Sequence, residues 1–192
     1  IAVTGVSVHP GSAKDAMENA LLIAMEINAR LPAGAVPART EGYEGFFHLD
    51  EMAGDVAAAR MGYIIRDHDW EKFQEKKAVL EEAVRAVQAA HPKAAISLEL
   101  KDSYYNMAGQ LRGCMHLIDN AREAARRAGL TPFTKPIRGG TDGARLSFMG
   151  LPCPNLGTGG FSFHGPYECA TVEGMDLVVE MLKHLTALYA AL

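Results

Sequence analysis

The chain has 192 residues, of which 48% are hydrophobic and 22% are charged. These fractions are typical of a folded globular protein and exclude disordered, collagen-like and coiled-coil classes. The 19 lysines and arginines stand against 23 aspartates and glutamates, a net charge of −4, and like charges form no long run. Because an electrostatic nucleic-acid binder carries a basic surplus or stripe, we expect no nucleic-acid partner.

The sequence also gives expectations about membranes and compartment. No apolar stretch approaches the roughly 18–20 residues that cross a bilayer, so we expect no membrane partner. The chain begins at Ile1 without an initiator methionine or a signal-peptide pattern, which predicts a processed chain or a piece of a longer one. The three cysteines lack CxxC spacing. This usage is typical of a reducing compartment and predicts a cytoplasmic protein without a disulfide framework.

In the first hundred residues, strand-like and helix-like patterns follow one another. Alternating apolar and polar residues predict strands, and an apolar period near 3.6 residues predicts helices. In chain order, the predicted elements are a strand over 3–8, a helix over 13–31, strands over 46–49 and 61–65, a helix over 70–90 and a strand over 96–100. Ser12 and Asp15 form a loose capping box for the first helix, and Asp67 or Asp69 can cap the second. The order β-α-β-β-α-β predicts a ferredoxin-like fold.

After residue 106 the pattern changes. Helices are predicted over 107–128, over 142–149 and from 172 to the end, with a stretch rich in glycine and proline over 131–168. With few strands of its own, this part makes better sense as half of a larger α/β unit than as an independent domain. The sequence therefore predicts an α+β chain with domains over 1–106 and 107–192.

A glycine-rich stretch over 137–144 resembles a ligand loop. Consecutive glycines such as Gly139 and Gly140 let backbone N–H groups approach an anion, and Arg138 offers a planar fork to a carboxylate. The stretch matches neither of the glycine motifs that bind nucleotides. A tight turn with a surface arginine explains the same residues equally well.

Four further polar residues lie in predicted loops or at strand ends. His164 could ligate a metal, act as a base or hydrogen-bond a carbonyl, and a structural role is favoured because no ligand cluster surrounds it in sequence. His9 follows the first strand, where an imidazole could donate to a developing oxyanion or simply be polar surface. Asn106 and Arg66 lie at strand ends, where ordinary solvent-facing residues are the simpler interpretation.

Several ordered segments together resemble a known family. They are 5–14 (GVSVHPGSAK), 63–67 (YIIRD), 102–107 (DSYYNM), and 138–143 (RGGTDG) continuing into 146–156 (LSFMGLPCPNL). Several long, ordered matches are more specific than any single motif. The resemblance runs from Val3 to the last helix, and the chain is similar to the second half of the aminotripeptidase branch of the zinc-dependent M20 metallopeptidases.

This resemblance implies different roles for the two parts of the chain. Residues 1–106 would be a ferredoxin-like lid domain that mediates homodimerisation and closes over a peptide substrate. Residues 107–192 would be the C-terminal portion of a catalytic α/β domain that binds two zinc ions. In the intact enzyme, metal-activated water would attack the peptide carbonyl and release the N-terminal residue of a tripeptide.

The resemblance also implies roles for individual residues. His164 would be the last metal ligand of the dinuclear site. His9 would be the lid histidine that steadies the scissile carbonyl, often in the active site of the partner subunit. Arg138 would hold the terminal carboxylate of the peptide. The other substrate-binding residues that it implies are Asn106, Arg66, Gly140 and Thr141.

The family's remaining metal ligands and its general base come earlier in a full-length enzyme and have no counterpart in this sequence. We therefore expect this chain, taken alone, to be catalytically inactive and to hold zinc only weakly. Two other interpretations remain. One is another M20 hydrolase, a dipeptidase or an N-acyl amino-acid deacylase, and the other is a non-catalytic dimerisation module.

Overall fold

The computed structural model describes residues 1–191 as two compact units, one over 1–102 and the other from residue 103 onward. The assignment of a lid to 1–106 and of a catalytic portion to 107–192 stays a prediction. Within the described residues, no helix is both long and apolar enough to cross a membrane. The cytoplasmic location also stays a prediction.

The first unit is an antiparallel four-stranded sheet with two helices. Its elements in chain order are β1 (Ala2–Thr4), α1 (Ala20–Ala29), β2 (Phe46–Gly54), β3 (Ala58–Arg66), α2 (Trp70–Ala90) and β4 (Ala95–Ser97). The strand order across the sheet is β2-β3-β1-β4, which leaves β2 and β4 at the edges. The α+β class and the ferredoxin-like order β-α-β-β-α-β are thus confirmed.

One face of this sheet carries the core. Along β3, Ala59 and Met61 are buried while Arg60 between them is exposed, as the two-residue period of a strand requires. The helices cover that face with apolar side chains at helical spacing, namely Ala20, Ile23, Ala24 and Ile27 from α1 and Leu80, Ala83, Val84 and Val87 from α2. The sheet and both helices therefore bury two hydrophobic clusters, and Tyr63 packs against both of them.

The start of the first helix differs from its prediction. The predicted helix over 13–31 begins only at Ala20, where Asn19 Oδ1 accepts hydrogen bonds from the backbone N–H groups of the first turn. The residues before it are irregular: Asp15 has a φ of 57° and Glu18 pairs with Val6 in an isolated β-bridge. The capping box of Ser12 and Asp15 is therefore wrong, because tertiary pairing overrides the local helix preference.

The other elements of the first unit agree with their predicted bounds to different degrees. Helix α2 spans the predicted residues, and Asp69 is its N-cap, with Oδ1 accepting from Lys72 N at 3.0 Å. Strands β2 and β3 are longer than predicted, at nine residues each, and join in a turn after Gly54. Strands β1 and β4 are shorter, at three residues each.

The second unit is mainly helical. Its elements are α3 (Ala108–Leu111), α4 (His116–Arg127), α5 (Asp142–Phe148), β5 (Gly160–Phe161), β6 (Cys169–Ala170) and α6 (Val172–Ala190). Its core lies between α4 and α6, where Ala124 and Ala125 pack with Met181. The single helix predicted over 107–128 is wrong, since a 3₁₀ turn over Arg112–Cys114 separates α3 from α4. Glycines in this stretch lower its preference for a continuous α-helix.

Candidate functional site

His9 lies in a loop that leaves the sheet after β1 and returns before α1. Val6 and Glu18 close this loop through two backbone hydrogen bonds of 2.8 and 3.0 Å. We call residues 6–18 the His9 loop. Its base is joined to the β2–β3 turn, because Gly5 N donates to Ala57 O at 2.8 Å and Ala20 N donates to Val56 O at 3.0 Å.

One ring nitrogen of His9 is hydrogen-bonded to the backbone two residues further along the chain. Its Nδ1 accepts a hydrogen bond from Gly11 N at 3.1 Å, which caps the 3₁₀ turn Pro10–Ser12. A neutral ring with Nδ1 as acceptor carries its proton on Nε2. The residue is exposed. His9 therefore presents an Nε2–H donor, which is the group that an oxyanion or a polarised carbonyl oxygen would need.

Gly5 makes the geometry of the loop base possible. A Cβ at this position would overlap the carbonyl oxygen of Glu18 and come within 2.8 Å of Val56 O and 2.9 Å of Ala20 N. All three atoms are backbone, so none can rotate away. The sequence marked this glycine only as part of a motif, and its packing requirement becomes visible in the fold.

Arg66 is the last residue of β3, and the residue after it is anchored in the unit. The carboxylate of Asp67 is almost fully buried and accepts from Lys76 Nζ at 2.8 Å. It lies so close to Gly45 that a Cβ there would overlap Asp67 Oδ2. Asp67 thus fixes the strand end that carries Arg66, a role that the sequence alone did not indicate.

In the second unit, the glycine-rich stretch and the segment around Asn106 lie together. The ring of Tyr104 covers Gly140, where a Cβ would be 2.6 Å from Tyr104 Cζ. Thr141 Oγ1 accepts from Ala144 N at 3.2 Å and so caps α5, and Asn106 Oδ1 accepts from Ala108 N at 3.0 Å. Tyr104 therefore links the two predicted substrate-binding segments, while Thr141 caps α5 and Asn106 holds the turn that leads into α3.

A buried hydroxyl fixes the chain next to the glycine-rich stretch that contains Arg138. Ser147, on α5, is 1% exposed, and its Oγ donates to Gly143 O at 2.7 Å and accepts from Cys153 N at 3.0 Å. Gly143 lies against Cys153 O, where a Cβ would approach to 2.5 Å. These contacts explain the glycine at position 143 and the serine at position 147.

His164 lies at the tip of the β5–β6 hairpin. Its backbone is in the left-handed region with a φ of 63°, and Ser162 nearby has a φ of 55°. Its N–H donates to Glu168 Oε2 at 2.9 Å, and its side chain is exposed. Non-glycine residues pay a cost of about 1–2 kcal/mol for this conformation, and such strain is concentrated at functional sites.

Zinc requires more ligands than the hairpin provides. Protein zinc sites use three or four side chains of histidine, cysteine or acidic residues. Over residues 1–191, no three such side chains are placed to hold a metal ion. The role of His164 as a metal ligand therefore stays a prediction.

Comparison with protein families finds a match in the first unit. Residues 1–95 match the M20 peptidase dimerisation domain. Over 190 residues, the chain is 49% identical to peptidase T of Alkaliphilus oremlandii, covering 99% of this chain and 46% of that protein. The chain thus spans about half the length of the curated relatives it matches.

Two solved structures share the fold. A tripeptidase from Staphylococcus aureus superimposes with a TM-score of 0.71 at 18% identity, over 96% of this chain and 48% of that one. The aminopeptidase PepT from Bacillus cereus gives a TM-score of 0.67 at 20% identity, over 96% of this chain and 50% of that one. At these identities the superpositions establish the fold alone.

Proposed function

Because the chain belongs to the peptidase T branch of the M20 peptidase family, we propose that it forms part of an aminopeptidase that releases the N-terminal residue of tripeptides. The observation that supports this most strongly is the 49% identity to peptidase T over nearly the whole chain. The arrangement of candidate residues in each unit supports it further.

In this proposal, His9 and Arg138 have distinct tasks. His9 donates its Nε2–H to the carbonyl oxygen of the scissile bond, where negative charge develops. Arg138 holds the terminal carboxylate of the peptide through its planar guanidinium, a geometry suited to two parallel hydrogen bonds. The Tyr104–Gly140 contact restricts the loop in which Arg138 lies.

The proposal includes zinc as the cofactor, with His164 as one of its ligands. The other ligands and the general base would come from polypeptide that this chain does not contain, since the described residues do not complete a site. Asn106 and Arg66 would contact the peptide from the ends of the segments that carry them. The chain alone would then bind zinc weakly and would not turn over substrate.

A chimera tests this function. In it, the 192-residue chain replaces the matching half of the Alkaliphilus oremlandii enzyme, and a folded product is verified by circular dichroism. We expect the chimera to cleave tripeptides in preference to dipeptides and N-acyl amino acids, and the purified chain alone to cleave none. Faster cleavage of dipeptides or acylated substrates would favour the other M20 activities. Zinc-dependent hydrolysis by the chain alone would contradict the division of the site.

The first unit also offers a surface for a second copy of itself, in keeping with its match to a dimerisation domain. Leu22 and Met25, one helical turn apart on α1, are 61% and 56% exposed. Strand β2 lies at an edge of the sheet, where the N–H of Phe47 donates to Ala35 O at 2.8 Å and the strand continues beyond it to Gly54. We propose that α1 and the edge of β2 form the homodimer surface.

Charge on this surface should separate the dimer. A variant with Leu22→Asp and Met25→Asp should raise the Kd for dimerisation by roughly a hundredfold, because two carboxylates would be desolvated against apolar neighbours. Sedimentation velocity across a concentration series measures this. Val79→Asp on α2, another exposed apolar position, is the matched control. Equal dissociation in both variants would move the interface elsewhere.

A further inference from the structure

His91 joins three parts of the first unit. It follows the last residue of α2, and its two ring nitrogens contact two different carboxylates. Nδ1 lies 2.6 Å from Glu18 Oε2, in the His9 loop, and Nε2 lies 2.9 Å from Glu26 Oε2, on α1. Glu26 also pairs with Arg30 at 3.0 Å on the same helix. The ring is partly buried between these elements.

A second contact from the same region reaches the His9 loop. Lys93 Nζ donates to the carbonyl oxygen of Asp15, which has a left-handed backbone. Gln88 holds the turn in place, since its amide nitrogen donates to the carbonyl oxygens of His91 and Ala94 at 3.1 and 2.9 Å. The end of α2 thus fastens the returning side of the loop by side chains, in addition to the backbone bridge at its base.

The contacts of His91 require a proton on each ring nitrogen. An ionised carboxylate can only accept hydrogen bonds, so a ring that bonds to two of them must donate from both nitrogens and is an imidazolium. The hydrogen bonds to Glu26 and then to Glu18 raise the pKa of His91, against a smaller opposing effect of burial. The pKa of Glu26 is lowered, chiefly by His91 and then by Arg30.

We propose that His91 is a positioning residue that, as an imidazolium held between Glu18 and Glu26, fixes the loop that carries His9 and releases it on losing its proton. The Glu18 contact is the decisive one, because Glu18 is itself the residue that closes the loop against Val6. The consequence for catalysis rests on the proposed role of His9, whereas the attachment of the loop does not.

The direction of the pH dependence follows from the folded and unfolded states. A group whose pKa is higher in the folded state contributes stability that is fully present below its unfolded value, near 6.5, and disappears as the pH rises through the folded value. The loop is therefore fastened below about pH 6.5 and loosens as the pH rises through the raised pKa of His91. The other charged groups at the cluster are Arg30, which pairs with Glu26, and Lys93, which donates to the backbone of the loop.

Hydrogen exchange of the 192-residue chain tests this directly. The amides of Val6, Met17 and Glu18 are hydrogen-bonded within the loop. After correction for intrinsic exchange, we expect their protection to fall by about tenfold between pH 6 and pH 9, in keeping with the loss of charge-assisted hydrogen bonds. In His91→Gln the protection should be low and independent of pH.

Two comparisons make the test decisive. His48→Gln is the matched control, since His48 is exposed and lies 3.7 Å from the exposed Asp50, and the loop protection of this variant should equal that of the unaltered chain. Amides of β3 report on global unfolding and should keep their protection in every variant. Unchanged loop protection in His91→Gln, or an equal loss in β3, would overturn the proposal. Neither readout depends on peptidase activity, so failure of the proposed function would be seen separately.

Discussion

Gly5→Ala should destabilise the first unit by about 3 kcal/mol, as expected for a methyl group forced into closely packed surroundings. The added Cβ would overlap Glu18 O and crowd Val56 O and Ala20 N, and all three are backbone atoms. To accept it, the loop base must move away from the β2–β3 turn. Such a movement would break the hydrogen bonds that join them.

Guanidinium-induced unfolding followed by tryptophan fluorescence measures this effect. The chain has one tryptophan, Trp70, at the start of α2, so the signal reports on the first unit. Gly34→Ala is the control, because a Cβ at Gly34 would meet no atom within 4 Å. The control should change the free energy of unfolding by no more than about 0.5 kcal/mol. A Gly5→Ala midpoint equal to that of the control would contradict the packing argument.

Arg138→Ala should lower kcat/KM for tripeptides by roughly 10- to 150-fold in the chimera, the equivalent of a charge-assisted contact of about 1.5–3 kcal/mol. The loss should be specific for the terminal carboxylate. The unaltered chimera should therefore prefer a tripeptide acid to the corresponding tripeptide amide, and the variant should treat the two alike. Steady-state kinetics of both proteins on both substrates form a cycle like that of a double mutant. The cycle gives the interaction free energy between Arg138 and the terminal carboxylate.

The matched control for this experiment is Arg145→Ala. Arg145 is an exposed arginine on α5, seven residues further along the same motif. Its removal should leave the preference for the acid intact. If Arg138→Ala keeps both the rate and the preference, Arg138 does not bind the carboxylate and the loop is only a turn.

The sequence predicts those elements whose determinants are local. Helix α2 has a capping aspartate, Asp69, and an apolar period that continues to the proline after His91, and its predicted and observed bounds agree. The ferredoxin-like order follows from the sequence of strand and helix patterns alone. In contrast, residues 13–19 have a helix-compatible composition, yet Asn19 caps the helix and Glu18 pairs with Val6.

In the candidate site, too, residues marked by local motifs were predicted and residues with distant partners were not. Sequence motifs indicate His9, Arg138 and His164, and their functional roles stay predictions. The residues that support them were missed because their partners are distant along the chain: His91 and Glu18 are separated by 73 positions. Nor does any sequence pattern show that the ring of Tyr104 lies on Gly140. Such supporting contacts become visible only when the chain is folded.

The hydrogen bond from Gly11 N to His9 Nδ1 limits the chemistry open to this histidine. To take up a proton, a neutral imidazole uses its unprotonated nitrogen, which in His9 is Nδ1. As long as the backbone bond is made, His9 has only Nε2 to offer. It is therefore equipped to polarise a bond and not to carry protons between substrate and solvent.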